Sequence, residues 1–235
     1  MSVPDRRAEQ RPGADCFQRP LVPRFRFQQQ LRPGVRPSGP LTAFTMLQGS
    51  MRKFWPCLAI IMVVAAAAYQ LHRQGRMWLC SCGRFALWIG DIWSPENSQQ
   101  FLDPYSFTHV LHGFIFYGLL AWLIPRVSSL WRLWLAVSFE ALWEVVENTD
   151  RIIERYRGVT AAIGYQGDTI VNSLGDILSF GVGFMLARHL GFRRSVAVFV
   201  VTEVVLLGWI RDSLTLNVIM LIYPIEAIRA WQMGH

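Results

Sequence analysis

The sequence predicts an all-α protein, a polytopic membrane helix bundle with five to six transmembrane helices. Three observations carry this expectation: 52% of the residues are hydrophobic, the mean hydropathy is positive, and the apolar residues are gathered into long blocks instead of recurring at amphipathic spacing.

Residues 1–50 differ from the rest. They hold eight Arg (Arg6, Arg7, Arg11, Arg19, Arg24, Arg26, Arg32 and Arg36) against three acids, and seven of the twelve Pro. With no periodic apolar pattern, such a segment cannot bury enough surface to order itself, so residues 1–50 are expected to be a disordered basic arm. The arm supplies +5 of the formal +7 charge. Its basicity suits anionic lipid headgroups better than nucleic acid, and no nucleic-acid partner is expected. Met51, Arg52 and Lys53 followed by an apolar run look like an ordinary membrane-protein start, which makes Met46 or Met51 the expected initiation site. Residues 51–235 then form a single transmembrane helical domain.

The first expected span is Phe54–Leu71, whose charged start and small-residue stretch Ala65–Ala68 also resemble a secretory signal. Phe107–Ile124, Leu130–Val146, Ile170–Arg188 and Ser195–Ile210 follow. A sixth segment, Leu214–Ile228, is short and interrupted by Pro224, so it is either a last span or an interfacial helix. The positive-inside rule favours a cytoplasmic N-terminus, because Arg52, Lys53, Arg126, Arg132, Arg188, Arg193 and Arg194 then fall on the cytoplasmic side without an acid among them. The two long loops, with seven acids, face outward.

The chemistry lies in ionisable residues within or against these spans, where a carboxylate is costly unless it meets a partner or water. Glu140, Glu144, Glu147, Arg151 and Glu154 recur at helical spacing, which places them on one stripe if the third helix continues past Val146. Asp168, Asn172, Gly175, Asp176, Ser179 and Gly183 share a face of the next helix, polar at its start and small along its length. Asp168 is placed to act as its N-cap, with Thr169 in the first turn. His109 and His112 open the second span. Arg211 and Asp212 close the fifth. In the expected topology all four segment ends meet on the outer side, which argues for a single site.

Glu144, Glu147 and Asp168 are the expected catalytic residues. His109, His112, Arg151, Arg155, Asn172, Asp176, Arg211 and Asp212 are the expected ligand-binding residues. An interhelical charge network, in which the same carboxylates pair with Arg151, Arg155 or Arg211, is the structural alternative. His-x-x-His lacks the Glu of the zinc-helix motif, and the Glu stripe lacks the Glu-x-x-His pattern of di-iron bundles, so no metal is expected and no cofactor is indicated. Glu203, alone in the fifth span, reads as a structural hydrogen-bonding group. Cys80 and Cys82, in an outer loop, are either a labile redox pair or two free thiols. No Gly-rich nucleotide loop, Gly-x-Ser-x-Gly elbow or Cys-x-x-Cys zinc pattern occurs, which removes support for the common soluble enzyme classes.

Four stretches, SPENSQQFLDPYSFTHVLHGFIFYGLL (94–120), FEALWEVVENTDRIIERYR (139–157), GYQGDTIVNSLGD (164–176) and GWIRDSLTLNVIMLIYPIEAIRAWQ (208–232), resemble an uncharacterised family of small bacterial multi-pass inner-membrane proteins. More distantly, the order of a His-led span, a Glu-bearing span and Asp-x-x-x-Asn-x-x-Gly opening another is similar to the VanZ-like proteins linked with glycopeptide-antibiotic tolerance. That resemblance extends to His109 or His112, Glu144 or Glu147, Asp168, Asn172 and Gly175. It implies a bacterial inner-membrane location and an architecture more than an activity. The expected partners are the lipid bilayer and an envelope lipid or anionic head group, bound in an outward-facing polar pocket. A non-enzymatic scaffold and a small transporter are the alternatives.

Overall fold

A computed structural model describes residues 40–234, with side chains from Phe54 onward. Apart from its last residues, which begin the first helix, the expected arm lies outside the described residues. Among the described residues there are eight helices and no strand: α1 (Pro40–Arg73), α2 (Ser106–Leu123), α3 (Ser129–Glu147), α4 (Asp150–Val159), α5 (Ile170–Leu190), α6 (Phe192–Ile210), α7 (Leu214–Ile222) and α8 (Glu226–Met233).

Three of these are long and apolar enough to cross a membrane: Phe54–Arg73, Ser106–Leu123 and Ile170–Leu190. The count is four if α6 and α7, bent by 74° at their break, act as one span. This is fewer than the five to six expected, for three reasons, of which one is that α6, the fifth expected span, carries Arg193, Arg194 and Glu203 and counts only when joined to α7. The third segment carries Arg132, Glu140, Glu144 and Glu147, too much charge for an apolar span, although its 19 residues reach about 28 Å. The last expected segment divides, because α7 ends at Ile222 before Pro224 and α8 restarts at Glu226.

The stripe on the third segment is also cut. α3 ends with Asn148 as its C-cap, and a separate helix starts at Asp150. Asn148 folds its side-chain amide back onto the Glu144 carbonyl (3.0 Å) and onto Asp168, so the chain turns there instead of continuing. Arg151 and Glu154 are consequently exposed on α4, away from Glu140 and Glu144.

The small face of α5 serves the purpose its composition predicts. A Cβ added at Gly183 would strike the backbone of Val110, and one added at Gly113 would lie 2.6 Å from the Phe184 nitrogen, so α2 and α5 cross with their backbones nearly touching. Gly175 similarly lets the Phe101 carbonyl rest on α5. Beside this crossing, Ala67, Leu120, Ala136, Val137, Ala141, Ile177, Phe180 and Phe184 make a core shared by α1, α2, α3 and α5. The outward faces remain apolar: Ile61, Trp122, Leu142 and Val204 are all more than half exposed. In the long loop before α2, Cys80 and Cys82 are joined as a disulfide.

Candidate functional site

One end of the helix bundle gathers two histidines and four carboxylates from three helices. α2 begins there with His109 and His112, α3 ends there with Glu140, Glu144 and Glu147, and α5 begins there with Asn172 and Asp176. The antiparallel course of α3 between α2 and α5 brings these three helix ends together.

His109 is the hub. Its Nδ1 lies 2.5 Å from Glu140 Oε1 and 3.4 Å from Glu144 Oε1, while Nε2 is 3.9 Å from Asp176 Oδ2. His112 places its own Nδ1 3.4 Å from Glu140 Oε1. Ser106 donates its hydroxyl to Asp176 Oδ1 at 2.8 Å. Glu140 and Glu144 are buried, yet neither oxygen of Glu144 accepts a hydrogen bond. A buried polar group without a partner is rare and costly, and it calls for an explanation.

A second set of bonds fixes the chain just before α5. Asn148 accepts from the Asp168 backbone N–H (2.6 Å) and donates to Asp168 Oδ2 (2.8 Å). The Tyr165 hydroxyl donates to the same carboxylate at 3.0 and 3.1 Å. Burial raises the Asp168 carboxyl from 3.8 to about 6, even though the Asn148 and Tyr165 bonds favour its charged form. Held this way, Asp168 does not cap α5. Thr169 is the N-cap instead, its hydroxyl accepting from the Asn172 N–H at 3.2 Å. Asn172 donates to the Gln100 carbonyl (2.8 Å) and approaches Asp103 (3.5 Å), whose carboxyl is also raised by burial. Asp103 in turn accepts the N–H groups of Ser98 and Tyr105.

The expected arginines go elsewhere. Arg155 donates through Nε and Nη2 to the Leu221 carbonyl near the end of α7, at 3.1 and 3.0 Å. Arg211 takes a left-handed backbone at the α6 terminus and reaches the Trp231 carbonyl at 3.3 Å. Arg151 is exposed. Among the described residues no Arg or Lys forms an ion pair with Glu140, Glu144, Glu147, Asp168 or Asp176, so the expected arginine–carboxylate network does not form. Asp212 stands apart from the His109 hub: it accepts from Tyr105 (3.4 Å), Asn217 (3.1 Å) and the Ser213 N–H (2.8 Å). Glu203 accepts the N–H groups of Leu214 (3.0 Å) and Thr215 (3.1 Å), the structural role its isolation predicts.

The structure therefore joins Glu140, Glu144 and Asp176 around His109, with His112 against Glu140 and with Asp168 and Asn172 beside them, and separates the three arginines. Two cavities, of about 350 Å³ beside Arg157, Gly164 and Gln166 and about 520 Å³ between α1, α3 and α5, are not lined by the cluster. Glu140 and Asn148 were missing from the expected binding set. Glu140 shares the Glu144 stripe, which was the available signal; Asn148 carried none, since its role depends on the chain turning at the end of α3.

The fold and site define an all-helical protein with a buried His–carboxylate cluster at one end of its central helices. The chain belongs to the family described as "Protein of unknown function (DUF2585)", which matches residues 71–234. It is similar to the "UPF0314 protein" of Paracoccus denitrificans (strain Pd 1222), 45% identical over 181 residues, covering 77% of this chain and 94% of that protein. It is also similar to the "UPF0314 protein" of Sphingopyxis alaskensis, 44% identical over 190 residues, covering 80% of this chain and all of that protein. No solved structure matches the chain.

Proposed function

We propose that this is a multi-pass protein of the bacterial inner membrane, and that the His109–Glu140–Glu144 cluster is a working site that binds or modifies a polar envelope molecule such as a lipid-linked or phosphate-bearing one. The membrane reading is supported by the apolar, outward-facing helices, which in water would present a surface prone to association. α3 is included among the membrane-embedded helices, its charges turned toward α2 and α5. The distant VanZ-like resemblance points to the same envelope setting.

The observation that carries the site is Glu144. A carboxylate with no Arg or Lys partner and no hydrogen bond, sharing the single His109 ring with Glu140, is poor interhelical glue, because charge networks stabilise only when every member is paired. It is suited instead to act as acid or base once a ligand enters. Glu144→Gln tests this. The reading expects the variant to insert and accumulate normally while failing to restore the phenotype of a deletion strain. Full complementation by Glu144→Gln, at wild-type abundance, overturns it. Sidedness is tested separately by a reporter fused near Gly158, which should be active only outside the cytoplasm.

A small transporter is the second reading, favoured by the broken α6–α7 pair, since discontinuous helices line many transport sites. A substrate flux lost in Asp212→Asn and kept in Glu144→Gln would favour it.

A further inference from the structure

The cluster contains a set of donors that the spacing in the sequence does not reveal. His-x-x-His on α2 supplies two imidazoles, and the complementary carboxylates come from another helix. The donor atoms of His109, His112 and Glu140 lie within 4.8 Å of one another, and so do those of His109, Glu144 and Glu147. The sets share His109, whose Nδ1 faces both Glu140 and Glu144.

The geometry points to a binding site for one divalent transition cation, held by His109, His112 and Glu140, whose donor atoms lie within 4.8 Å of one another, with Glu144, which forms a second such set with His109 and Glu147, closing in as the fourth ligand. This inference rests on the proposed working site and names what that site carries.

Four observations support it. First, the donors are of the right kind. Two neutral imidazoles with two carboxylates suit zinc, manganese or ferrous iron, whereas calcium and magnesium prefer an all-oxygen shell. Second, the spacing fits. Ligands about 2.1 Å from a tetrahedral ion stand about 3.4 Å apart, the separation of His109 from Glu144 and of His112 from Glu140, while Glu144 stands outside the His109–His112–Glu140 set and must move toward it. The closer His109–Glu140 pair, at 2.5 Å, must open by about 1 Å.

Third, the charge calls for a cation. Glu140, Glu144 and Asp176 surround His109 with no described Arg or Lys paired to them. A protonated His109 neutralises one of the three and still leaves both oxygens of Glu144 without a donor. A divalent ion with two carboxylates is neutral overall and gives Glu144 the partner it lacks. Fourth, Asp176, oriented by the Ser106 hydroxyl, lies 3.9 Å from the second nitrogen of His109, beyond hydrogen-bond reach but on the side from which a carboxylate steadies a ligating ring once it closes. The ring of His112 is 21% exposed, which leaves a route for the ion.

A bound cation would also resolve a difficulty in the proposed function. With the arginines elsewhere, the cluster by itself repels a phosphate-bearing head group, and a metal ion that expands from four ligands to five would attract it and polarise its oxygens.

The test uses the full-length protein in detergent, purified through a tag without histidine, stripped with a chelator and titrated with Co²⁺ and Zn²⁺. One Co²⁺ per chain should bind, with the visible absorption of a tetrahedral nitrogen–oxygen site, and Zn²⁺ should displace it. His112→Gln and Glu144→Gln should each weaken binding at least about a hundredfold, and Asp176→Asn about 10–100-fold. Arg155→Ala should bind as the wild type does. Wild-type protein that takes up no Co²⁺, or His112→Gln and Glu144→Gln variants that bind it undiminished, would overturn the inference. If these variants unfold, X-ray absorption of the Zn²⁺-loaded wild type decides. Two imidazoles in the metal shell support the site, and a shell without imidazole overturns it.

Failure here is separable from failure of the proposed function. No metal binding, with Glu144→Gln still abundant and inactive, removes the cation and keeps the working site. Metal binding with full complementation by Glu144→Gln does the reverse.

Discussion

Glu203 and Glu144 are both buried carboxylates within long helices, and the chain treats them in opposite ways. Glu203 faces the break between α6 and α7, where the first N–H groups of α7 have no carbonyl partner, and its two oxygens accept two of them. Its negative charge also lies at the positive end of a helix dipole. Glu144 faces helix ends that bring further acids and an imidazole, and both its oxygens remain without a donor. Both are buried, Glu144 completely and Glu203 at 9% exposure, so each carries a desolvation cost. In one case backbone geometry offsets it, and in the other the offset is left to something that binds. A buried charge therefore indicates function only after its partners have been counted.

The largest effect is expected from breaking the satisfied member. Glu203→Ala strands two N–H groups that had bonded a charged acceptor, at a cost of about 4 kcal/mol. Thermal unfolding in detergent should show the loss, and an unchanged midpoint would mean that Glu203 is not structural.

Asp168 sharpens the contrast through pH. Its carboxyl is raised from 3.8 to about 6 in the folded protein, so the folded state holds the proton more tightly than the unfolded chain. The stability this group contributes is fully present below about pH 4, is lost as pH rises to about 6, and is level above that. The total is about 3 kcal/mol at 1.36 kcal/mol per pKa unit. Asp168→Asn should reduce the slope of the stability–pH profile in that window by one group's share, and an unchanged slope would place the titration elsewhere.

Glu144→Gln is the counterpart to Glu203→Ala. Removing an unpaired buried charge should leave stability unchanged within about 1 kcal/mol or raise it, while activity is lost, because sites trade stability for function. A large destabilisation would put Glu144 in the same class as Glu203. The smallest effect belongs to Arg151→Ala. With its side chain exposed on α4, the change should stay within about 0.5 kcal/mol and leave complementation intact. A strong phenotype would restore Arg151 as a ligand-binding residue.

The sequence by itself determined the helical class, the approximate ends of the long segments, the small-residue face of α5 and the set of helix ends from which the cluster is drawn. These follow from local periodicity and composition: expected and observed limits differ by at most three residues for α2, α3, α5 and α6, and Gly183 lies on the face expected to pack closely. Tertiary structure alone decided which partner each polar group meets. Asp168 lost the capping role to Thr169 because Asn148 claims its side chain from another helix end. The arginines were drawn to the carbonyls of Leu221 and Trp231, which the breaks around Pro224 and Arg211 bring within reach. His109 met Glu140 across thirty-one positions of sequence. Helical periodicity places a side chain on a face of its own helix, but a hydrogen bond or ion pair depends on a few ångströms between helices, set by how closely glycine lets them approach.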